Sequence, residues 1–104
     1  MIRVTVAYPN EPGKKFDWDY YLNTHGPLVN EQLSGRGLLK LEVDKGISSP
    51  DPSEPAPFVA IAYLTFNTVE EVHEGFKASG REIMGDIPNF TDIKPTFQIS
   101  EIVV

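Results

Sequence analysis

Residues 58–66, FVAIAYLTF, constrain the fold more than any other part of the chain. With the two-residue period of a β-strand, this segment is apolar on both faces. One face carries Phe58, Ala60, Ala62, Leu64 and Phe66, and the other carries Val59, Ile61 and Tyr63. Strands of this kind are buried on both sides. We therefore expect a central strand, in a sheet whose two faces are both covered.

Three more segments predict strands. Residues 2–8, IRVTVAY, and residues 38–46, LLKLEVDKG, alternate in the manner of a strand, and residues 96–104, TFQISEIVV, form the last one. The segment 47–57 between the second and third strands contains four prolines. We expect it to be a long, mobile hairpin loop.

Two segments predict amphipathic helices. The first, FDWDYYLNTHGPLVNEQL, begins near Phe16 and is stopped by SGRG at residues 34–37. The second opens at Thr68, where TVEE has the pattern of a capping box in which Thr68 and Glu71 satisfy backbone N–H groups.

The resulting order, βαββαβ, predicts one α+β domain over residues 1–104. Right-handed crossovers give a four-stranded antiparallel sheet with both helices on one face, the ferredoxin-like plan. The other face would then expose one of the two apolar sides of the third strand as part of an apolar patch. Face-to-face homodimerisation is the simplest way to cover such a patch. The alternative is that the proline-rich loop or the C-terminal residues fold over it.

Composition excludes several classes of function. The chain has no cysteine and only two histidines, His25 and His73, so thiolate and histidine-rich metal sites are excluded. A net charge of −6 without a basic cluster argues against nucleic acid and anionic membranes as partners. No nucleophile elbow, phosphate-binding glycine loop or metal signature occurs. We expect a cytoplasmic protein whose chemistry, if it has any, needs no cofactor.

His25 is the leading candidate for a catalytic residue. It lies on the apolar side of the first helix, and Gly26 and Pro27 follow it. Because Pro27 has no N–H for the Asn23 carbonyl, the helix should kink or loosen beside the imidazole. Tyr21, four residues earlier, should neighbour the ring, and such a pair can move a proton near neutral pH. The alternative is a neutral histidine that only fills the core.

Four other residues are candidates for a substrate pocket: Tyr8, Trp18, Tyr63 and Asn89. For the aromatic residues, the alternative is simple filling of the core. Asn89 lies in an irregular segment near the last strand, from which it could reach the pocket.

The first helix also resembles a known family. FDWDYYLNTHGPL is similar to the signature of EthD-like proteins, in which an aromatic residue and a Tyr-aromatic pair precede His-x-Pro-Leu. The matching residues are Phe16, Tyr20, Tyr21, His25, Pro27 and Leu28, and GDIPNFTDIKPTFQISEIV resembles the family's closing segment. The resemblance implies the dimeric α/β-barrel fold, in which two ferredoxin-like sheets pack face to face.

The resemblance leaves the reaction open. The family is named after a small protein required for degradation of a fuel ether, and the wider superfamily includes cofactor-free monooxygenases, isomerases and polyketide cyclases. We expect acid–base chemistry at His25, with Tyr21 beside it, on a small aromatic or polyketide-like catabolic intermediate. A binding or accessory protein that holds a small apolar or aromatic ligand without turnover is the alternative, and a structural dimer with a filled core is a third.

Overall fold

A computed structural model describes all 104 residues of the chain. The strands are β1 (Ile2–Pro9), β2 (Lys40–Lys45), β3 (Phe58–Phe66) and β4 (Thr96–Glu101). The helices are α1 (Trp18–Tyr20), a π-helical turn (Tyr21–His25), α2 (Gly26–Ser34), α3 (Val69–Asp86) and a 3-10 turn (Ile87–Asn89). No helix combines the length and the apolar character that a membrane crossing requires.

The four strands form one antiparallel sheet in the order β2-β3-β1-β4. This order is that of a ferredoxin-like βαββαβ unit, and the predicted fold class is confirmed. Strand β3 is central, as its two apolar faces indicate. The core lies between the sheet and the helices, where alternate residues of β1 and β3 pack against α2 and α3.

The helix boundaries follow local capping. Helix α1 begins at Trp18 rather than Phe16, because the Asp17 side chain accepts a hydrogen bond from the Tyr20 amide at 3.1 Å. At the start of α3, Thr68 is the N-cap, and its side chain accepts a hydrogen bond from the Glu71 amide at 3.2 Å. The Glu71 carboxylate meets the Thr68 hydroxyl instead of the Thr68 amide, so only half of the predicted capping box forms.

The face of the sheet opposite the helices, here called the open face, is more polar than predicted. Val59 and Ile61 lie on it but are half-buried. The flanking strands alternate so that polar side chains point to this side: Arg3, Thr5, Lys40, Glu42, Asp44, Thr96, Gln98 and Ser100. The large apolar patch expected from β3 is therefore reduced to a narrow strip.

The proline-rich loop is anchored at its C-terminal end. Asn10 donates its backbone amide to the Pro57 carbonyl and its side-chain amide to the Ala56 carbonyl, each at 2.9 Å. Around Asp51 the loop forms a turn in which the carboxylate accepts from the Ser53 amide and hydroxyl. The two Asn10 bonds tie the loop to the end of β1.

Candidate functional site

His25 lies at the end of the π-helical turn, directly before Gly26 and Pro27. In this turn the Gly26 amide donates to the Tyr21 carbonyl, one residue further back than in an α-helix. Pro27 provides no N–H, so the wider turn accommodates the missing donor. The predicted loosening of the helix beside the imidazole is confirmed. Such turns recur at functional sites in other proteins.

The imidazole points into the protein and meets a carboxylate. His25 is 4% exposed, and its Nδ1 lies 2.9 Å from Asp86 Oδ2 at the C-terminal end of α3. Nε2 has no hydrogen-bond partner within the protein, and the ring lines an apolar cavity. Because a carboxylate accepts the Nδ1 proton, the unshared electron pair resides on Nε2.

Asp86 is held by two further donors. The Tyr20 hydroxyl donates to Oδ1 at 2.6 Å, and the Asn89 side-chain amide donates to the same oxygen at 2.9 Å. Both carboxylate oxygens therefore have partners, with His25 on Oδ2. This arrangement fixes the carboxylate, which in turn fixes the orientation of the imidazole.

The electrostatics of the pair favour a neutral imidazole beside an ionised carboxylate. Burial lowers the pKa of His25, while the hydrogen bond and the charge of Asp86 act in the opposite direction without reversing it. Burial alone would raise the pKa of Asp86, but the hydrogen bonds from Tyr20, Asn89 and His25 outweigh it and lower that pKa. A neutral imidazole with a bare Nε2 can accept a proton.

An aromatic cluster holds these elements together. Phe90, fully buried, lies with its ring centroid 4.6 Å from that of His25 and 5.0 Å from that of Tyr21. Its carbonyl accepts from the Asp17 amide at 2.8 Å, which ties the segment after α3 to the start of α1. That bond brings the end of α3, and with it Asp86, against the helix that carries His25.

The cavity lies between the helices and the sheet and measures about 30 Å³. Its walls are almost wholly apolar and come from all four strands, the π-turn, α2, α3 and the 3-10 turn. They are formed by Val6, Tyr8, Tyr21, His25, Gly26, Val29, Leu41, Val43, Ala62, Leu64, Phe76, Ile83, Ile87 and Phe97. None of these wall residues is an Asp, Glu, Lys or Arg, and His25 is the one wall residue that could become charged by gaining a proton.

Two phenols share the cavity with the imidazole. The Tyr8 and Tyr21 ring centroids are 6.0 Å apart, and the Tyr21 ring stacks on His25 at 5.6 Å. Neither hydroxyl has a hydrogen-bond partner in the protein, and burial raises the pKa of Tyr21 to about 12 and that of Tyr8 further. Both phenols therefore stay protonated at physiological pH and remain available as hydrogen-bond donors.

The structure brings together His25, Tyr21 and Tyr8, and Tyr21 neighbours the imidazole through a ring stack rather than a hydrogen bond. Asn89 does not line the cavity; its amide binds Asp86 and lies 3.4 Å from the Tyr20 hydroxyl.

Trp18 and Tyr63 also lie outside the cavity. Trp18 is half-buried at the helix start, beside Phe16 and with Lys45 Nζ 5.4 Å from its ring centroid, because α1 begins one turn before the site. Tyr63 lies on the open face, where the Arg3 guanidinium is 5.4 Å from its ring, because the strand period turns it away from the helices. The structure therefore brings neither of these two residues to the cavity beside His25.

Sequence reasoning missed Asp86. Asp86 is the last residue of α3, in a stretch that the sequence predicts to be irregular. Its partner His25 is 61 residues away in the chain. The extension of α3 to Asp86 was the missing information. No group of three or more His, Cys, Asp or Glu side chains is arranged to hold a metal ion.

Fold and site together define a ferredoxin-like α+β protein with a histidine–aspartate pair beneath its helices. The family model described as the EthD domain matches residues 13–94. The chain belongs to the EthD family, and the resemblance of its first helix to that family is confirmed.

Solved structures agree with this assignment. An EthD-like protein from Ralstonia eutropha JMP134 is 39% identical, with a TM-score of 0.93 over 99% of this chain and 92% of that one. An ethyl tert-butyl ether D family protein from Bacillus halodurans C-125 is 21% identical, with a TM-score of 0.70 over 99% of both chains. A dimeric protein of ferredoxin-like fold from Bacteroides fragilis shares the fold at 12% identity, with a TM-score of 0.56 over 97% of this chain and 95% of that one. None of the curated proteins matches the chain.

Proposed function

We propose that this EthD-family protein performs acid–base chemistry on a small aromatic or polyketide-like molecule, with His25 Nε2 as the proton acceptor. The observation that carries the proposal is the 2.9 Å contact between His25 Nδ1 and Asp86 Oδ2 at the wall of an apolar cavity. A carboxylate at Nδ1 orients an imidazole and stabilises the imidazolium that forms when Nε2 takes a proton.

In the proposed step, Nε2 accepts a proton from a carbon next to a substrate carbonyl. The C–H electron pair forms a carbon–carbon double bond, and the carbonyl oxygen becomes the enolate oxygen. The phenols of Tyr8 and Tyr21 supply hydrogen-bond donors for that oxygen. Return of the proton to a different carbon gives an isomer, and the step needs no cofactor.

Deuterium exchange tests this chemistry without knowledge of the natural substrate. We expect the wild-type protein to accelerate exchange of the acidic C–H of 2-tetralone in D2O. Proton NMR measures the rate of this exchange. His25→Asn should lower the rate by a factor of about 100 or more, because general bases contribute on this scale. His73→Asn, which changes an exposed histidine on α3, is the matched control. Equal rates in the two variants would refute the proposal.

The second candidate function is binding without turnover. The apolar walls of the cavity favour it, since small-molecule binding sites are lined mostly by apolar and aromatic side chains. A ligand that raises the melting temperature of the wild type but shows no exchange or conversion would support this candidate over catalysis.

We also propose that the chain works as a homodimer through the open face. The half-buried Val59 and Ile61 supply the apolar part of the interface. The ferredoxin-like neighbour from Bacteroides fragilis is described as dimeric.

A further inference from the structure

The cavity beside His25 is too small for the body of an aromatic molecule. Its volume of about 30 Å³ is room for one or two waters. A cavity that binds benzene in a protein core measures about 150 Å³. Only the reacting end of a substrate fits beside Nε2, so the rest of the molecule has to lie elsewhere.

A groove between the first helical segment and β2 adjoins this cavity. Its volume is about 530 Å³, and its walls are Tyr21, Leu22, Gly26, Pro27, Asn30, Leu39, Lys40, Leu41 and Val43. Four of these residues, Tyr21, Gly26, Leu41 and Val43, also line the cavity. The groove and the cavity are therefore separated by a single shared layer of side chains.

The groove carries unusual apolar exposure. Leu22 is 57% exposed and Leu39 is 51% exposed, although both side chains face the same groove. Removing such surfaces from water is favourable at about 25 cal/mol per Å². At the shared layer Gly26 has no side chain, and a Cβ there would already lie 3.4 Å from the Tyr21 carbonyl oxygen. At Gly26, the residue after His25, the shared layer therefore contains backbone only.

We propose that this groove binds the apolar body of the ligand, an alkyl or aryl substituent, while its carbonyl or phenol end reaches His25 past Gly26. The inference rests on the proposed function for the polar end of the ligand. It adds Leu22 and Leu39 as residues that set the preferred length of the substituent.

A second groove, between α3 and β4, is the competing location. Met84 lies on its wall, and it shares only Ile87 and Phe97 with the cavity. It carries two charged side chains, Asp92 and Lys94, against one, Lys40, in the first groove, and therefore suits an apolar substituent less well.

A series of 4-alkylphenols, from 4-methylphenol to 4-hexylphenol, tests the inference by calorimetric titration. In the wild type, each added methylene should tighten binding by about two- to fourfold, as expected for partial to full burial of a CH₂ group. Leu22→Asp and Leu39→Asp should abolish this gain, and they should weaken the binding of 4-methylphenol less than that of 4-hexylphenol. Met84→Asp, in the competing groove, should keep the gain. Melting temperatures establish that each variant is folded.

The outcomes separate the groove from the proposed function. If 4-methylphenol binds in a His25-dependent manner but chain length has no effect, the groove is refuted and the function stands. If Met84→Asp removes the gain and the leucine variants keep it, the inference is overturned in favour of the α3–β4 groove. If no alkylphenol binds, the groove proposal is overturned, whereas the proposed function is decided by the deuterium exchange of 2-tetralone.

Discussion

His25 and Asp86 lie 61 residues apart in the chain, and their side chains meet with Nδ1 2.9 Å from Oδ2. The π-turn presents the imidazole, and the last residue of α3 presents the carboxylate. Tyr20 and Asn89 complete the hydrogen bonds of that carboxylate. The pair couples the two helices at the edge of the cavity, and its ionisation is open to direct measurement.

Asp86→Asn should lower the pKa of His25 below its value in the wild type. The carboxylate contributes a hydrogen bond and a negative charge, both of which raise that pKa against the effect of burial. Titration of the imidazole signals by NMR measures the change. Asp92→Asn, at an exposed carboxylate, is the matched control. An unchanged or raised pKa in Asp86→Asn would mean that the carboxylate does not act on the ring.

The free energy of unfolding should fall as the pH drops below about 6.5, the ordinary pKa of histidine. Because the folded-state pKa of His25 is lower, the unfolded chain binds a proton that the folded chain does not, and stability is lost down to the folded pKa. The slope for one proton is at most about 1.4 kcal/mol per pH unit. A second loss should begin below about 3.8, since the pKa of Asp86 is lowered too.

Urea unfolding at a series of pH values measures these losses. His25→Asn should lack the first loss and keep the second. If the variant and the wild type lose stability in parallel between pH 6.5 and 5, other groups cause the acid sensitivity.

Phe90→Ala should lower the free energy of unfolding by about 3–5 kcal/mol, because it removes a fully buried ring from the aromatic cluster beside His25. Phe58→Ala, at a residue that is 37% exposed, should cost much less. Denaturant titration compares the two variants. Similar costs would show that the cluster around Phe90 is not the main support of the site.

The sequence predicted the fold better than the site. The two apolar faces of β3 indicate a central strand, and the Pro27 effect on the helix appears as the π-turn. These features depend on residues close together in the chain. The His25–Asp86 contact depends on how far α3 extends and on the tie between Asp17 and Phe90, which no local pattern encodes.

The polarity of the open face was the other feature that the sequence did not predict. Strand β3 alone suggests a broad apolar patch, but the polarity of the open face is set by the register of β1, β2 and β4. Tyr63 turned out to share that face with Arg3.

Gly26→Ala should stabilise the protein by about 0.5–1 kcal/mol and weaken the binding of 4-hexylphenol. Gly26 has helical backbone angles, where alanine is favoured over glycine. The added methyl group would thicken the layer between groove and cavity. Thermal unfolding and calorimetric titration measure the two effects. Destabilisation together with unchanged binding would contradict both expectations.

Ile61→Asp should convert a dimer into a monomer, because it introduces a charge into the apolar strip of the open face. Light scattering at micromolar concentration measures the molar mass. Val69→Asp, at an exposed position on α3, is the control and should stay dimeric. A wild-type protein that is already monomeric would end the dimer proposal.

The tautomer of His25 tests the central claim most directly. Long-range proton–nitrogen NMR at pH 8 distinguishes a protonated from a bare ring nitrogen. The account predicts a proton on Nδ1, shared with Asp86, and a bare Nε2 whose resonance shifts when 4-methylphenol is added. A proton on Nε2, or an Nε2 resonance that does not respond to the phenol, would contradict it.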